Sequence, residues 1–436
     1  MAPPSPRLGA LAILALLTTG CETGRPLYEA GLRDEDFGST AAATSAPVAA
    51  ARPAPSPKEI DDFISLENIR PEERPPIESD EGGLWMLVDR AEASVRREVN
   101  RVHDAELNRY VHGNVCKLAG AYCSSIRTYI LRVPLFNASM SANGMMNVFT
   151  GLLLRASNEA EMNAVLGHEI GHFLRRHGVQ RQRMIVQTNA TLTWLSLAVA
   201  LVGGNPNIVN LSSIIARANY MAYERDHERE ADGYGLRMLY DKGYDPRAAG
   251  RIWGRLIREE EKAGIKQTFN PMLASHPAPA ERMGVMGEIG EALVPRMSAI
   301  ELGRRTYLNF ILPRRHMWIE DEIRAKDLKE AEALIDLLIE DGVNLGELYY
   351  YKGEAYRKQG SKEKLEKALE FYDQAIGRNG TPDRLYKAKG LVLARLERNA
   401  DAIAALEKYL TLAPNDPDSG LLKAQLETLR KAEAKS

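Results

Sequence analysis

The sequence predicts a mainly helical α+β fold, with one small β-sheet in the first domain and an array of helical repeats after it. Three observations carry this. Apolar residues recur at helical spacing over most of the chain beyond about residue 82. The stretches Thr128 to Phe136 and Met145 to Thr150 are instead rich in Ile, Val, Phe and Tyr, broken by Asn143-Gly144. The C-terminal part repeats itself: Gly353 and Gly390 lie 37 residues apart, as do Tyr372 and Tyr409.

A chain of 436 residues that is 44% apolar has the material for real cores, in about three units. Its net charge is −2, from 57 basic and 59 acidic residues. That balance gives no reason to expect nucleic acid, and no polybasic run marks a membrane-surface patch.

The N-terminus reads as an export signal. Arg7 is followed by the apolar run Leu8 to Leu17 and by Thr18-Thr19-Gly20-Cys21. The run is shorter than the ~18 residues needed to span a bilayer. Residues 1–20 are therefore expected to be a signal peptide of lipoprotein type, with Cys21 lipidated, although Leu17 sits one position early for a lipobox. Membrane contact is expected only through that anchor. Residues 21–81 should form a flexible tether, because Ser39 to Lys58 is almost entirely Ala, Pro, Ser and Thr and cannot bury enough surface to order itself. With Cys21 modified, Cys116 and Cys123 remain as an even pair, and an oxidising compartment invites a disulfide between them. Two buried thiols are the alternative. Neither has a CxxC neighbour, so no metal is expected there.

The first helix of the folded part should carry Leu84, Leu87, Val88, Ala91 and Val95 on one face. A central helix should start at Asn158, with Glu161 as capping-box partner, and stop at Gly178 after Arg175, Arg176 and His177. Thr191 to Val202 is apolar but only a dozen residues long, which favours a buried helix or covering loop over a membrane span. A further helix should run from near Asn219 to Asp241, with Asp245-Pro246 starting the next one.

The central helix contains His168-Glu169-Ile170-Gly171-His172. The two histidines are one turn apart, so both rings leave the same face and can share one cation, while Glu169 lies beside that face and can hold a water on the metal. A catalytic zinc needs a third protein ligand and an open position. The only other dense group of candidates is Arg225 to Asp232. Glu228 and Asp232 are four apart and face the same way; one can ligate while the other accepts a hydrogen bond from a ligand imidazole. On composition alone His227 and Glu230 also stay in contention.

The HEIGH motif with Glu228-x-Glu230-Ala231-Asp232 about sixty residues on resembles the HtpX and CAAX-prenyl-protease class of gluzincins. Within it, the likeness is to the soluble periplasmic branch of barrel assembly-enhancing proteases, which carries C-terminal tetratricopeptide repeats. The resemblance implies a gluzincin-type metallopeptidase domain with a small β-sheet at 82–310 and tetratricopeptide-like repeats at 311–436. It implies one Zn2+ per chain on His168, His172 and Glu228, with Asp232 behind a ligand and Glu169 as the catalytic base. Ser275-His276-Pro277 matches a family segment whose histidine can approach the zinc, so His276 is expected as a fourth ligand or gate that keeps the enzyme latent.

The repeat pattern (Tyr-x-x-x-Gly, then Ala-Leu-x-x-Tyr) suits tetratricopeptide repeats if an insertion near Ser361 to Lys364 stretches their ~34-residue period, with Ala331 marking a partial repeat. The expected function is a zinc metalloendopeptidase of the bacterial cell envelope. Its expected substrates are unfolded or misassembled polypeptides, stalled outer-membrane proteins by resemblance. The barrel-assembly machinery would be the partner and the periplasmic face of the outer membrane the location. Substrate is expected as an added strand against Asn143, Gly144, Met146 and Val148. The competing reading is a repeat-based chaperone or adaptor with a vestigial metal site, for which Glu169 would have no purpose.

Overall fold

The computed structural model describes residues 54–64, 74–187, 207–264, 276 and 279–434, and for 207–223 and 279–280 it describes the backbone alone. The signal segment, Cys21, most of the tether and the Thr191 to Val202 stretch lie outside the described residues.

Helices α1 (Pro57–Ile64), α2 (Asp80–Val95) and α3 (Ala105–Ala119) precede strands β1 (Arg127–Leu131), β2 (Ala138–Met140) and β3 (Met145–Phe149). Helices α4 (Thr150–Arg155), α5 (Glu159–Leu174), α6 (Asn207–Asp241), α7 (Ala248–Ala263) and α8 (Pro279–Leu293) follow. The C-terminal part consists of α9 (Arg304–Ala325), α10 (Leu328–Glu340), α11 (Leu345–Gln359), α12 (Lys362–Ala375), α13 (Arg384–Arg395), α14 (Asn399–Leu412) and α15 (Ser419–Glu433). The result is a mainly helical α+β protein with a three-stranded sheet. Among the described residues no helix is long and apolar enough to cross a membrane.

The tether expectation fails at its C-terminal end. Residues 57–64 form α1, which packs on α6 and α8 and buries Ile60 and Ile64. The physical signal is the Ile60, Phe63, Ile64 stripe at helical spacing in an otherwise polar segment. Helix α2 also differs from expectation. Leu87 is 61% exposed, whereas Glu81 and Glu92 are buried. Glu92 accepts hydrogen bonds from Arg127, Arg96, Tyr129 and Asn143, so α2 is held by charge more than by its apolar face.

The strand order is β1-β3-β2, with β1 parallel and β2 antiparallel to β3. Helix α5 starts as expected: the Asn158 side chain accepts from the Glu161 amide at 2.9 Å. Its end comes earlier. Helix α5 stops at Leu174, Arg176 takes the left-handed conformation with φ 59°, and the chain turns helical again over 177–187 with Gly178 inside. Helix α6 runs alongside α5, and the approach is close at Gly171. A Cβ there would sit 2.8 Å from Tyr234 Cβ and 3.1 Å from Ala231 Cα.

The C-terminal helices pair as the hairpins α11/α12 and α13/α14, but the residues that meet the two glycines, Ala368 and Tyr372 in one and Ala402 and Leu406 in the other, recur at 34 residues and not at 37. Gly353 lies against Tyr372 and the Ala368 carbonyl, and Gly390 lies against Leu406 and the Ala402 carbonyl. Position 310, the expected domain boundary, falls inside α9. The apolar core runs on across it: Ile311, Trp318 and Ile319 belong to the cluster that holds Leu166 and Tyr372.

Candidate metal centre

The close pass of α5 and α6 sets the site. It brings His168 and His172 of α5 against Glu228 of α6, and His276 joins them; one donor atom from each lies within 4.8 Å of the others. His168 Nε2 is 3.0 Å from His172 Nε2 and 3.4 Å from Glu228 Oε2. His172 Nε2 is 3.4 Å from Glu228 Oε1. His276 Nδ1 lies 2.8 Å from Glu228 Oε2 and 3.2 Å from His168 Nε2.

The far nitrogens fix the tautomers. His168 Nδ1 lies 2.9 Å from Asp232 Oδ1, and a carboxylate can only accept, so the proton is on Nδ1 and the lone pair on Nε2. On the other side, His177 Nε2 donates to Glu230 Oε2 at 2.9 Å. His177 Nδ1 therefore carries a lone pair and accepts from His172 Nδ1 at 2.8 Å. His172 Nε2 is then also a lone pair, and two lone pairs face each other across 3.0 Å. Such an arrangement calls for a cation between them.

The donor set fits zinc. Two imidazole nitrogens and a carboxylate are among its usual ligands, and tetrahedral bonds of ~2.0–2.1 Å separate ligand atoms by about 3.3 Å, close to the spacings above. With no ion between them, the carboxylates hold a second proton on His168, which a metal would displace. Burial opposes charge on His168, but Asp232 and Glu228 outweigh it and hold its pKa up to about 9. Burial pushes His172 down to about 3. Burial alone would raise Glu228, yet the charge of His276 and hydrogen bonds from His168 and His172 keep it far below the carboxylate range.

Glu169 sits beside the donors. Its Oε1 is buried without a hydrogen-bond partner and lies 3.5 Å from His276 Nε2. Burial raises its pKa, against the pull of His276 and His168, while the Met140 backbone amide hydrogen-bonds to it.

Two neighbours were not assigned a role from the sequence. His177, read only as a helix-end residue, orients His172. Arg282, at the start of α8, reaches Asp232 Oδ1 at 2.6 Å and Glu228 Oε2 at 2.8 Å, with its guanidinium 4.8 Å from the centre of the Trp253 ring. It offsets the paired carboxylates. The available signal was an arginine six residues beyond His276, on a helix that follows proline. His227 and Glu230 are not donors here: His227 stacks on His177 at 4.0 Å, and Glu230 holds His177. Cys116 and Cys123 are bonded to each other.

The substrate-strand expectation is corrected. Strand β3 is central, hydrogen-bonded on both sides, and Met146 and Val148 are fully buried. Asn143 is structural: its Nδ2 donates to Asp89 Oδ1 and Glu92 Oε2, and its Oδ1 accepts from the Met145 amide. Gly144, φ 85°, packs against the Ser125 carbonyl. The edge next to the site is β2.

Paired histidines one turn apart with a glutamate between them, and a carboxylate donor from a second helix, define a metallopeptidase centre of the HExxH class. Residues 103–289 match the model of Peptidase family M48. The chain is similar to a putative beta-barrel assembly-enhancing protease of Vibrio cholerae, 26% identical over 57% of this chain and 52% of the relative. It is also similar to the mitochondrial metalloendopeptidase OMA1 of Arabidopsis thaliana, 31% identical over 36% of this chain and 30% of the relative. The metalloprotease LoiP of Escherichia coli is 31% identical over 34% of this chain and 55% of its own length. The chain thus spans about half or less of each of these relatives.

Proposed function

We propose that this protein is a zinc-dependent metalloendopeptidase of the bacterial cell envelope that removes misfolded or stalled outer-membrane proteins. The observation that supports it best is the buried Glu169 Oε1, without a hydrogen-bond partner, beside the convergent His168, His172 and Glu228. A bound zinc ion supplies polarisation of the scissile carbonyl and an acidified water. Glu169 would be placed to take the proton from an attacking water and pass it to the leaving amine; a carboxyl whose pKa is raised by burial suits both roles. Asp232 and His177 hold the two rings, and Arg282 keeps Asp232 ionised.

Substrate would add to the free edge of β2. In the β2–β3 ladder Asn137 and Ser141 hydrogen-bond to β3, so by alternation Ala138 and Met140 present their backbone groups outward. An added strand reads backbone more than side chains, which suits unfolded clients. The approach of His276 Nδ1 to Glu228 and His168 supports reading it as a fourth donor, a gate that would exclude water and keep the resting enzyme latent. The C-terminal hairpins are read as a tetratricopeptide-like array, a docking platform for the barrel-assembly machinery. Lipidation at Cys21 would hold the enzyme on the periplasmic face of the outer membrane. The similarity to a protein named for barrel assembly supports this setting.

Casein digestion and metal analysis of three proteins test the reading. Wild type and Glu169→Gln should both retain one zinc, with proteolysis lost in Glu169→Gln. His276→Ala should keep zinc and show a higher basal rate. Casein left intact by zinc-loaded wild type would leave the adaptor reading in its place, undiminished proteolysis in Glu169→Gln would remove Glu169 as the base, and an unchanged rate in His276→Ala would remove the gate.

A further inference from the structure

We propose that His112, Cys116 and Cys123 form a second metal site, for a thiophilic ion such as Zn2+, which becomes available only when the Cys116–Cys123 disulfide is reduced. The absence of a CxxC pair argued against metal at these cysteines, but that reading left out a donor one helical turn away. His112 precedes Cys116 by four residues on α3, and its Nε2 lies 3.4 Å from Cys116 Sγ. His112 Nδ1 lies 3.2 Å from Thr128 Oγ1 of β1. With the Nδ1 proton donated to that hydroxyl, the Nε2 lone pair points at sulfur. A lone pair gains little from a disulfide, whereas a thiol proton or a cation satisfies it.

The geometry is close to that of a metal site. The three donor atoms lie within 4.8 Å of one another. In a tetrahedral zinc site, bonds of ~2.3 Å to sulfur and ~2.0–2.1 Å to nitrogen place N and S about 3.5 Å apart. His112 and Cys116 already have that spacing, and only the two sulfurs must separate. Cys123 lies on the short 3₁₀ turn Gly120–Ser125, and all three residues are half-buried, so a reductant and an ion can reach them from solvent. His112 also lines a cleft of about 510 Å³ together with Arg101, Arg109 and Arg127.

The redox step needs a dithiol. It attacks the disulfide through a mixed disulfide and leaves oxidised as its own disulfide, while Cys116 and Cys123 are released as two thiols. Metal binding then sends both thiol protons to solvent. The site thereby exchanges a covalent cross-link for a metal cross-link between the same two residues. This inference does not depend on the peptidase reading.

Cobalt titration of the full-length protein tests it, because the α5/α6 centre offers only nitrogen and oxygen donors. In a Cys21→Ser background, thiolate-to-cobalt charge-transfer absorption therefore reports the new site alone. After reduction with a phosphine, wild type should show that band and bind one Co2+ more than the oxidised protein, and Zn2+ should displace it. The band should vanish in Cys123→Ser, and Co2+ affinity there should fall about tenfold or more in His112→Ala. Oxidised His112→Ala should keep its melting temperature and its first metal equivalent; if it does not, His112→Gln replaces it. A reduced wild type without the band would overturn the proposal, as would undiminished affinity in the folded His112 variant.

Discussion

Asp232 and His177 reach the two metal-site imidazoles from opposite directions, and neither needs to touch the metal to matter. His177 accepts from His172 and is itself held by Glu230. His177→Ala should therefore weaken zinc binding about 10–100-fold, measured by chelator competition, while the metal-free protein keeps its melting temperature. Glu92 offers a separate test at the same scale. Arg127 foremost, with Tyr129 and Arg96, holds its pKa at about 2, below the ordinary value of 4.5, although burial works against it. Because the folded value is the lower one, this stabilisation is fully present above pH 4.5 and is lost as the pH falls towards 2. The Arg127 and Arg96 side chains are 36% and 56% exposed, so screening reduces the contribution; we expect up to about 2 kcal/mol. Denaturant titrations of wild type and Glu92→Gln at pH 6 and pH 3 should show the gap between them narrow at the lower pH.

At the scale of elements, the edge strand is the one to probe. Met140 points its backbone amide towards Glu169 and away from β3. Met140→Pro removes that outward donor without breaking the ladder, a substitution an edge strand can accept. It should lower kcat/KM on an unfolded substrate by up to about tenfold, the size of one hydrogen bond, with zinc content unchanged. The same substitution at Val148 would break the central strand and should unfold the domain. Local chemistry anticipated some boundaries well. Asn158 caps α5 through its side chain, as its type and the apolar run after it require. The stop was misplaced because Arg176, not Gly178, takes the left-handed turn. Residue preference ranks glycine first there, but the turn is set by where 177–187 must pack, which no local window contains.

Over the whole molecule, a buried charge cluster ties the metallopeptidase core to the C-terminal helices. Arg155 of α4 pairs with Glu259 of α7 at 2.7 Å and with Glu322 of α9 at 2.5 Å, all three nearly inaccessible. Arg155→Met would leave two carboxylates buried with Lys326 as their remaining ion-pair partner among the described residues. It should cost about 3–5 kcal/mol in urea unfolding, and adding Glu259→Gln and Glu322→Gln should recover most of that. Because α9 spans the expected boundary, the C-terminal hairpins and the metallopeptidase core should lose stability together.

The sequence by itself determined which residues can do chemistry. His168, Glu169 and His172 share one helix turn, and their relation follows from helical geometry alone. The 37-residue repeat likewise foretold the paired hairpins, because each copy carries its own small-residue contact. Helix geometry did not decide among Glu228, His227 and Glu230 as third donor; that took the resemblance, or the depth at which α6 passes α5 at Gly171. The roles of His177 and Arg282, the edge position of β2 and the place of His112 beside a disulfide were likewise left to the tertiary structure. Each depends on contacts between elements distant in sequence, and spacing along one chain segment carries no information about which distant segment will lie against it.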